Sequence, residues 1–242
     1  MNKEKLVRFI SKYHLDGIVE SAVLNSSVDA EKLTTDFVST DRTLLGSVQL
    51  DKWDFEEAII GIYDTKKLNG LLSVLDGDIK ISITKSGEKS LSLQLTDNIS
   101  KINYMLSDPS IIASAPPIKE EPEYELDVHL TSAVMSKFIA GKGALQDEYN
   151  TYFTVKTKDD KTYLIINYNS TNLTNRVTIP VNTSKFQHIE DIAFNAEHFS
   201  KLLEANKECE SSIFSVSSAG LGKIKFKVDD FTTIYYVVAQ ND

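Results

Sequence analysis

The chain contains few of the residues on which disulfide scaffolds and metal sites depend. Its single cysteine, Cys209, cannot form an internal disulfide, and its polar neighbourhood, NKECESS, favours a structural thiol over a nucleophile. The four histidines are scattered without the paired spacing that a zinc site requires. These shortages predict a protein that has neither a metal site nor a cofactor.

Long apolar segments are missing as well. No apolar run is long enough to cross a bilayer, and the N-terminal MNKEKLVRFISKYHLDG is charged and amphipathic rather than a signal peptide. We therefore expect a cytoplasmic protein with no membrane partner. Hydrophobic residues at 41% and charged residues at 25% are typical of globular proteins, and a length of 242 residues suits two domains.

No short motif indicates catalysis. The GKG at 141–143 lacks the spaced first glycine and the Ser or Thr of a phosphate-binding loop, so we interpret it as a helix end where glycine accepts a left-handed backbone. The SGEK at 86–89 falls between two strand patterns and indicates a hairpin turn. The DGD at 76–78 and the DD at 229–230 also suit turns, which favour Asp and Gly for backbone reasons. We predict a protein that is not an enzyme.

A weak duplication covers most of the chain, with an offset of roughly 131 residues. AIIGIYDTKKLNGLLSVL, at 58–75, combines a short strand, a helix cap at Asp64 and leucines at helical spacing. DIAFNAEHFSKLLEANK, at 191–207, repeats that order with a cap at Asn195. Each half begins with another helix, and a pair of alternating strands follows each later helix. This order predicts an α+β fold of two similar domains, each with two helices packed on antiparallel sheets.

A connector separates the two halves. Four of the five prolines lie between Ser107 and Glu125, and proline favours an extended, stiff backbone. The predicted boundaries are 1–108 for the N-terminal domain, 109–123 for the connector and 124–242 for the C-terminal domain. Two interpretations of the connector remain open: a plain spacer, or one wall of a peptide-binding pocket formed by Ile111, Ile112 and Ile118.

The charge is unevenly distributed. The formal net charge is -9, which argues against a generally basic nucleic-acid-binding protein. The four predicted helices nevertheless carry about +3, +1, +2 and -1, which leaves about -14 for the rest of the chain. Either these are ordinary solvated helix surfaces, or the helices form a basic face that binds phosphates without sequence preference. The slightly acidic fourth helix does not support the second reading.

Three blocks of sequence stand out: AIIGIYDTKKLNGLLSVLDGDIKISI, YMLSDPSIIASAPP followed by LTSAVMSKFIAGKGAL, and the C-terminal IYYVVAQND. They resemble the sliding clamps of T-even and related bacteriophages. The chain length, the position of the connector and the internal repeat agree with that family. The resemblance implies the DNA-clamp fold in both domains and a closed homotrimeric ring with helices around its hole. Such a ring encircles duplex DNA and tethers the replicative DNA polymerase, which confers processivity.

The resemblance also assigns candidate residues and partners. The helix residues that would face DNA are Lys3, Lys5, Arg8, Lys12, Lys66, Lys67, Lys137, Lys142 and Lys201. Partners of this family dock short C-terminal peptides, and the candidate pocket joins the three connector isoleucines to Tyr236 and Val238 of the last strand. An ATP-driven clamp loader is expected to open the ring, and transcription factors are a further class of partner in some phage clamps.

Three other readings remain open. A β-rich virion structural protein would also be acidic and have no active site. A hydrolase could be assembled from scattered residues such as Asp97, His129 and Ser132. A eukaryotic-type clamp, of the proliferating cell nuclear antigen family, would have the same architecture and leave the functional prediction standing.

Overall fold

A computed structural model describes residues 3–87, 89–116, 118–145, 152–171 and 174–240. The chain divides into two compact units that exchange short segments. Unit 1 contains Met1–Thr40, Gly46–Pro116 and Asp229–Thr233, and unit 2 contains Asp41–Leu45, Pro117–Val228 and Ile234–Asp242. The boundaries at 1–108, 109–123 and 124–242 remain a prediction of how the chain divides along its sequence.

Unit 1 holds two helices and two groups of strands. Its elements are α1 (Lys3–His14), β1 (Ala22–Ser27), β2 (Lys32–Val38), β3 (Leu44–Asp51), β4 (Ala58–Ile62), α2 (Thr65–Leu72), β5 (Lys80–Ser86), β6 (Lys89–Thr96) and β7 (Lys101–Met105). The strands follow the order β3-β2-β1-β4 in one sheet and β5-β6-β7 in another. Strand β1 is antiparallel to β2 and β4, and β6 is antiparallel to β5 and β7.

Unit 2 repeats the arrangement. Its elements are β8 (Leu126–Thr131), α3 (Ser132–Gly143), β9 (Tyr152–Lys158), β10 (Lys161–Ile166), β11 (Val177–Val181), β12 (Thr183–Lys185), β13 (Ile192–Asn195), α4 (Ala196–Ala205), β14 (Ser211–Ser217), β15 (Leu221–Val228) and β16 (Phe231–Val238). One group of strands follows the order β12-β8-β14-β15-β16 and the other β11-β10-β9-β13. Two helices with antiparallel sheets in each unit confirm the predicted α+β class.

The helices form where the sequence supplies a cap and an apolar stripe. Asp64 accepts a hydrogen bond from the backbone N–H of Lys67, and Asn195 accepts one from that of His198, so both predicted caps are confirmed. Helix α2 ends at Leu72, although Leu75 continues the spacing. Leu75 lies beyond a turn and is buried there.

The strand prediction was wrong in one respect. Three strands, rather than a pair, follow each later helix, because β5 and β14 precede the two predicted hairpins. In strand β5, Ile81 and Ile83 alternate with polar residues and are half-buried, whereas the other five residues are exposed. The turns at 86–89 and 229–230 do join hairpin strands, although Glu88 lies outside the described residues.

Gly141 serves close packing, and neither Gly141 nor Gly143 forms a left-handed helix end. Helix α3 ends at Gly143, but neither glycine has a positive φ. A Cβ at Gly141 would lie 3.0 Å from a Val177 methyl carbon and 3.1 Å from one of Ile166. Glycine at this position therefore lets α3 approach β10 and β11 closely.

The described residues contain no helix that is both long enough and apolar enough to cross a membrane.

Gly61 fixes the start of the connector in unit 1. A Cβ at this position would lie 2.2 Å from the Ser107 carbonyl oxygen, and the N–H of Ser107 donates to the Gly61 carbonyl at 3.0 Å. A side chain there must push the connector backbone away from β4. A Cβ at Gly70, on α2, would meet no atom within 4 Å.

We predict opposite effects for alanine at these two glycines. Gly61→Ala should lower the free energy of unfolding by about 1–3 kcal/mol through overpacking. Gly70→Ala should raise it by about 0.5–1 kcal/mol because alanine favours the helix. Urea titrations that detect unfolding of unit 1 measure both variants. Equal stability of the two variants would contradict the close approach at Gly61.

Candidate nucleic-acid interface and partner site

The two helices of each unit pack against each other. In unit 1, α1 contacts α2, and the Tyr13 hydroxyl lies 3.3 Å from the Thr65 hydroxyl at the start of α2. In unit 2, Phe138 of α3 and Phe199 of α4 have ring centroids 4.8 Å apart. The apolar faces of the helices are thereby turned inward, and the basic residues are distributed over what remains.

Three of the nine candidate DNA-facing residues are exposed and unpaired. Lys66 and Lys67 lie on the first turn of α2, and Lys137 lies on α3. None of the three forms an ion pair with another residue that the structure describes. They are the candidates best placed to meet a phosphate.

Two candidates in unit 2 are held by glutamates. The Lys142 ammonium lies 2.8 Å from the Glu197 carboxylate, and the Lys142 side chain is only 13% exposed. Lys201 lies 3.1 Å from Glu204, one turn further along α4. These pairs reduce the cationic surface that the sequence suggested.

The four candidates on α1 are also engaged. Lys5 and Arg8 pair with Asp230 and Asp229, and Lys3 donates to the Leu75 carbonyl. Lys12 is 1% exposed, with its ammonium 5.4 Å from the ring centroid of Phe231. Lys12 therefore contributes to the core of unit 1, and its position beneath an aromatic ring is invisible to a count of formal charges.

The five candidate pocket residues are divided between the units. Ile111 and Ile112 belong to unit 1, whereas Ile118, Tyr236 and Val238 belong to unit 2. Ile111 is 65% exposed, but Ile112 is 6% exposed and contacts the Gly61 region. Among the connector isoleucines, Ile111 and Ile118 thus offer surface to a partner, and Ile112 anchors the segment.

A group of hydrogen bonds around the Glu121 carboxylate, which the sequence did not predict, fixes the connector in unit 2. Glu121 accepts hydrogen bonds from the Lys223 ammonium at 2.6 and 2.7 Å and from the Tyr236 hydroxyl at 2.7 Å. Tyr124 donates to the same carboxylate at 3.3 Å. More than 100 residues separate Glu121 from Lys223 and Tyr236, so no local pattern could have revealed the cluster.

The electrostatics of this cluster follow from its geometry. The hydrogen bonds from Lys223 hold the pKa of Glu121 below its usual range, with a further contribution from Tyr236. Burial, together with the hydrogen bond to the Glu121 carboxylate, raises the pKa of Tyr236 to about 12. The connector is therefore attached by a charge-assisted contact that persists at neutral pH.

Two of the three scattered residues considered for hydrolysis, Asp97 and Ser132, have structural partners. Asp97 accepts backbone hydrogen bonds from Asp76, Ile99 and Ser100, which lower its pKa. The Ser132 hydroxyl donates to the Glu210 carbonyl. Within the described ranges, no group of three or more His, Cys, Asp or Glu side chains is placed to hold a metal ion.

Comparison with known proteins identifies the fold. No protein-family model and no curated protein matches the sequence. Among solved structures, the Proliferating Cellular Nuclear Antigen of Entamoeba histolytica matches with a TM-score of 0.75 at 13% identity, over 100% of this chain and 97% of that one. A chain of the PCNA2-PCNA3 complex of Sulfolobus tokodaii matches with a TM-score of 0.70 at 12% identity, over 99% and 98%.

This chain has the DNA-clamp fold. The fold predicted from the sequence is confirmed over the whole length of the chain. Both neighbours are clamps of the proliferating cell nuclear antigen type, so affiliation with the T-even bacteriophages stays a prediction that rests on the three sequence blocks.

We predict that Glu121 holds the connector against the sheet of unit 2. Glu121→Gln should accelerate amide hydrogen exchange across 118–125 about fivefold, the equivalent of roughly 1 kcal/mol, because the charge-assisted bonds weaken. Since the pKa of Glu121 is lowered by folding, its contribution is present above the ordinary carboxyl pKa and is lost as the pH falls through the lowered value.

The matched control is Glu123→Gln. Glu123 lies in the same segment, but it is more exposed and lies 3.5 Å from Lys185. Exchange rates in this control should stay close to those of the unmodified protein. Equal acceleration in both variants would show that the general acidity of the connector, rather than the Glu121 contact, sets its stability.

Proposed function

We propose that this protein is a sliding clamp: a ring that encircles duplex DNA and tethers a replicative DNA polymerase. The observation that carries the proposal is the DNA-clamp fold across the entire chain, with two helices in each of two similar units. The three clamp-like sequence blocks support it independently of the fold.

Ring closure requires that each subunit presents two complementary edges. Among the described strands, β7 ends the three-stranded sheet of unit 1 and β11 ends the four-stranded sheet of unit 2. Such edges expose unpaired backbone groups, and a head-to-tail contact between different edges closes into a ring when the rotation permits. We infer that β7 of one subunit pairs with β11 of the next, and that three such contacts close the ring.

The surroundings of these edges suit a subunit contact. An apolar groove beside β11 is lined by Val134 and Ala140 of α3 and by Val177 and Ile179 of the strand. Met105, at the end of β7, is 66% exposed and is apolar and flexible enough to fill a neighbouring groove. The Sulfolobus tokodaii neighbour comes from a complex of two clamp chains, which supports association between chains of this fold.

Contact with DNA is proposed to use phosphates alone. Lys66, Lys67 and Lys137 supply exposed cations on helices, whereas the chain as a whole carries a net charge of -9. Contacts to phosphates position a protein without reading sequence, and the acidic remainder repels DNA from other surfaces. The clamp would thereby hold the duplex inside the ring and remain free to move along it.

Processivity then follows from topology rather than chemistry. A polymerase bound to an encircling ring stays at a high effective concentration near its template. We propose that partner peptides dock on unit 2 near Ile118, Tyr236 and Val238, that an ATP-driven loader opens the ring, and that transcription factors are further partners. We assign the clamp itself no enzymatic activity and no cofactor.

The native mass of the protein tests whether three subunits form the proposed ring. Static light scattering over a dilution series should give three times the 27.1 kDa chain mass, with dissociation only on dilution. Met105→Asp should shift dissociation to higher concentration because it places a charge in the apolar groove. Ile99→Asp, in the preceding exposed turn, is the control and should leave the trimer intact.

Two outcomes contradict the proposal. A monomer at every concentration excludes a closed homotrimer. An open-ended polymer would instead favour the virion structural alternative, since a heterologous contact that does not close builds filaments.

A further inference from the structure

The turn between β15 and β16 places two carboxylates against α1. The Asp230 carboxylate lies 2.9 Å from the Lys5 ammonium and 2.8 Å from that of Lys52. Asp229 lies 3.0 Å from the Arg8 guanidinium. The two aspartates come from the opposite end of the chain, so the pairing is a product of the fold and of no local pattern.

An aromatic ring next to the turn completes the contact. The guanidinium carbon of Arg8 lies 4.7 Å from the ring centroid of Phe231, and the ammonium of Lys12 lies over the same ring. Three cations of α1 are therefore gathered around one short segment, Asp229–Phe231. All three are candidate DNA-facing residues, and two of them, Lys5 and Arg8, remain partly exposed.

These ion pairs remain open to exchange. The Asp229 side chain is 65% exposed, and Lys5 and Arg8 are also partly exposed. Solvent-exposed pairs of this kind contribute about 0–1 kcal/mol each, because water and salt screen them. A phosphate that approaches α1 can therefore take over either cation at little cost.

The backbone of the turn does not depend on the two carboxylates. The Asp51 N–H donates to the Asp230 carbonyl at 2.8 Å, and Asp229 has a φ of 51°. Asparagine adopts this left-handed conformation as readily as aspartate does. The charges can thus be removed by substitution while the turn keeps its shape.

We propose that Asp229 and Asp230 compete with DNA phosphates within the protein. By pairing with Lys5 and Arg8, the two aspartates weaken the binding of the clamp to the duplex. The inference rests on the proposed function. Each time α1 meets DNA, a phosphate must displace a carboxylate, so part of the attraction is offset by the lost ion pair. Weak, exchangeable contacts of this kind allow a ring to slide, whereas unopposed cations would hold it in place.

Removal of the two carboxylates tests the proposal. Asp229→Asn/Asp230→Asn should bind a fluorescent 30-base-pair duplex about tenfold more tightly at low salt. Its log–log salt slope should be steeper by about one to two, because Lys5 and Arg8 no longer pair with these two aspartates. Asp229→Asn alone should give an intermediate affinity. Fluorescence anisotropy measures the affinities, and thermal melts monitored by circular dichroism check that the variants fold.

The chain offers a matched control in the β9–β10 turn. Asp159→Asn/Asp160→Asn makes the same change of charge in another hairpin turn, and neither aspartate forms an ion pair with a described residue. This variant should change the duplex affinity by less than about twofold, since it alters only the overall charge. Equal tightening in both double variants would overturn the proposal.

A third variant separates this inference from the function on which it rests. Lys66→Glu/Lys67→Glu should weaken duplex binding. If it does so while Asp229→Asn/Asp230→Asn has no effect, the clamp function stands and the competitor role is wrong. If no protein in the series, including the unmodified one, shows salt-dependent duplex binding, both proposals fail.

Discussion

The arrangement of this protein depends on one constraint: each unit must cover the apolar face of its antiparallel strands, and a pair of helices does so. In unit 2, Phe199 of α4 lies at the centre of an aromatic cluster, 4.5 Å from Phe153, 4.8 Å from Phe138 and 4.9 Å from Phe214, measured between ring centroids. Such edge-to-face and tilted contacts add to the burial of apolar area. The helices are thereby fixed with their polar faces outward, where lysines and arginine can act.

The same constraint explains why an acidic chain can present a basic surface. Burial selects the inward residues of each helix and leaves the outward residues free to vary, so charge can be concentrated there without cost to the core. Ion pairs with acidic side chains neutralise part of this surface. Lys142 and Lys201 are paired with glutamates, and Lys5 and Arg8 with the Asp229–Asp230 turn. Lys66, Lys67 and Lys137 remain exposed and form no ion pair with a residue in the described ranges.

Local features were predictable from the sequence, and contacts between distant residues were not. The caps at Asp64 and Asn195 could be identified because capping acts over three residues, and the hairpin at 229–230 could be identified because its turn interrupts an alternating pattern. The burial of Lys12 beneath Phe231 and the attachment of Glu121 to Lys223 depend on tertiary packing alone. The α+β class and the two similar domains were predictable because the duplicated order of helices and strands is itself a sequence pattern, whereas the DNA-clamp fold was implied by the resemblance of three sequence blocks to a known family.

Topological retention tests the central claim, encirclement, most directly. A linear duplex is attached to a bead by one end, and its free end is capped with a bulky antibody either before or after incubation with the protein. The account predicts that protein survives a wash at about 1 M salt, which screens charges beyond roughly 3 Å, only when the cap is added afterwards. Restriction cleavage of the DNA should then release it. Equal loss in both orders of capping would contradict the account, because a protein held by charge alone does not sense the end of the duplex.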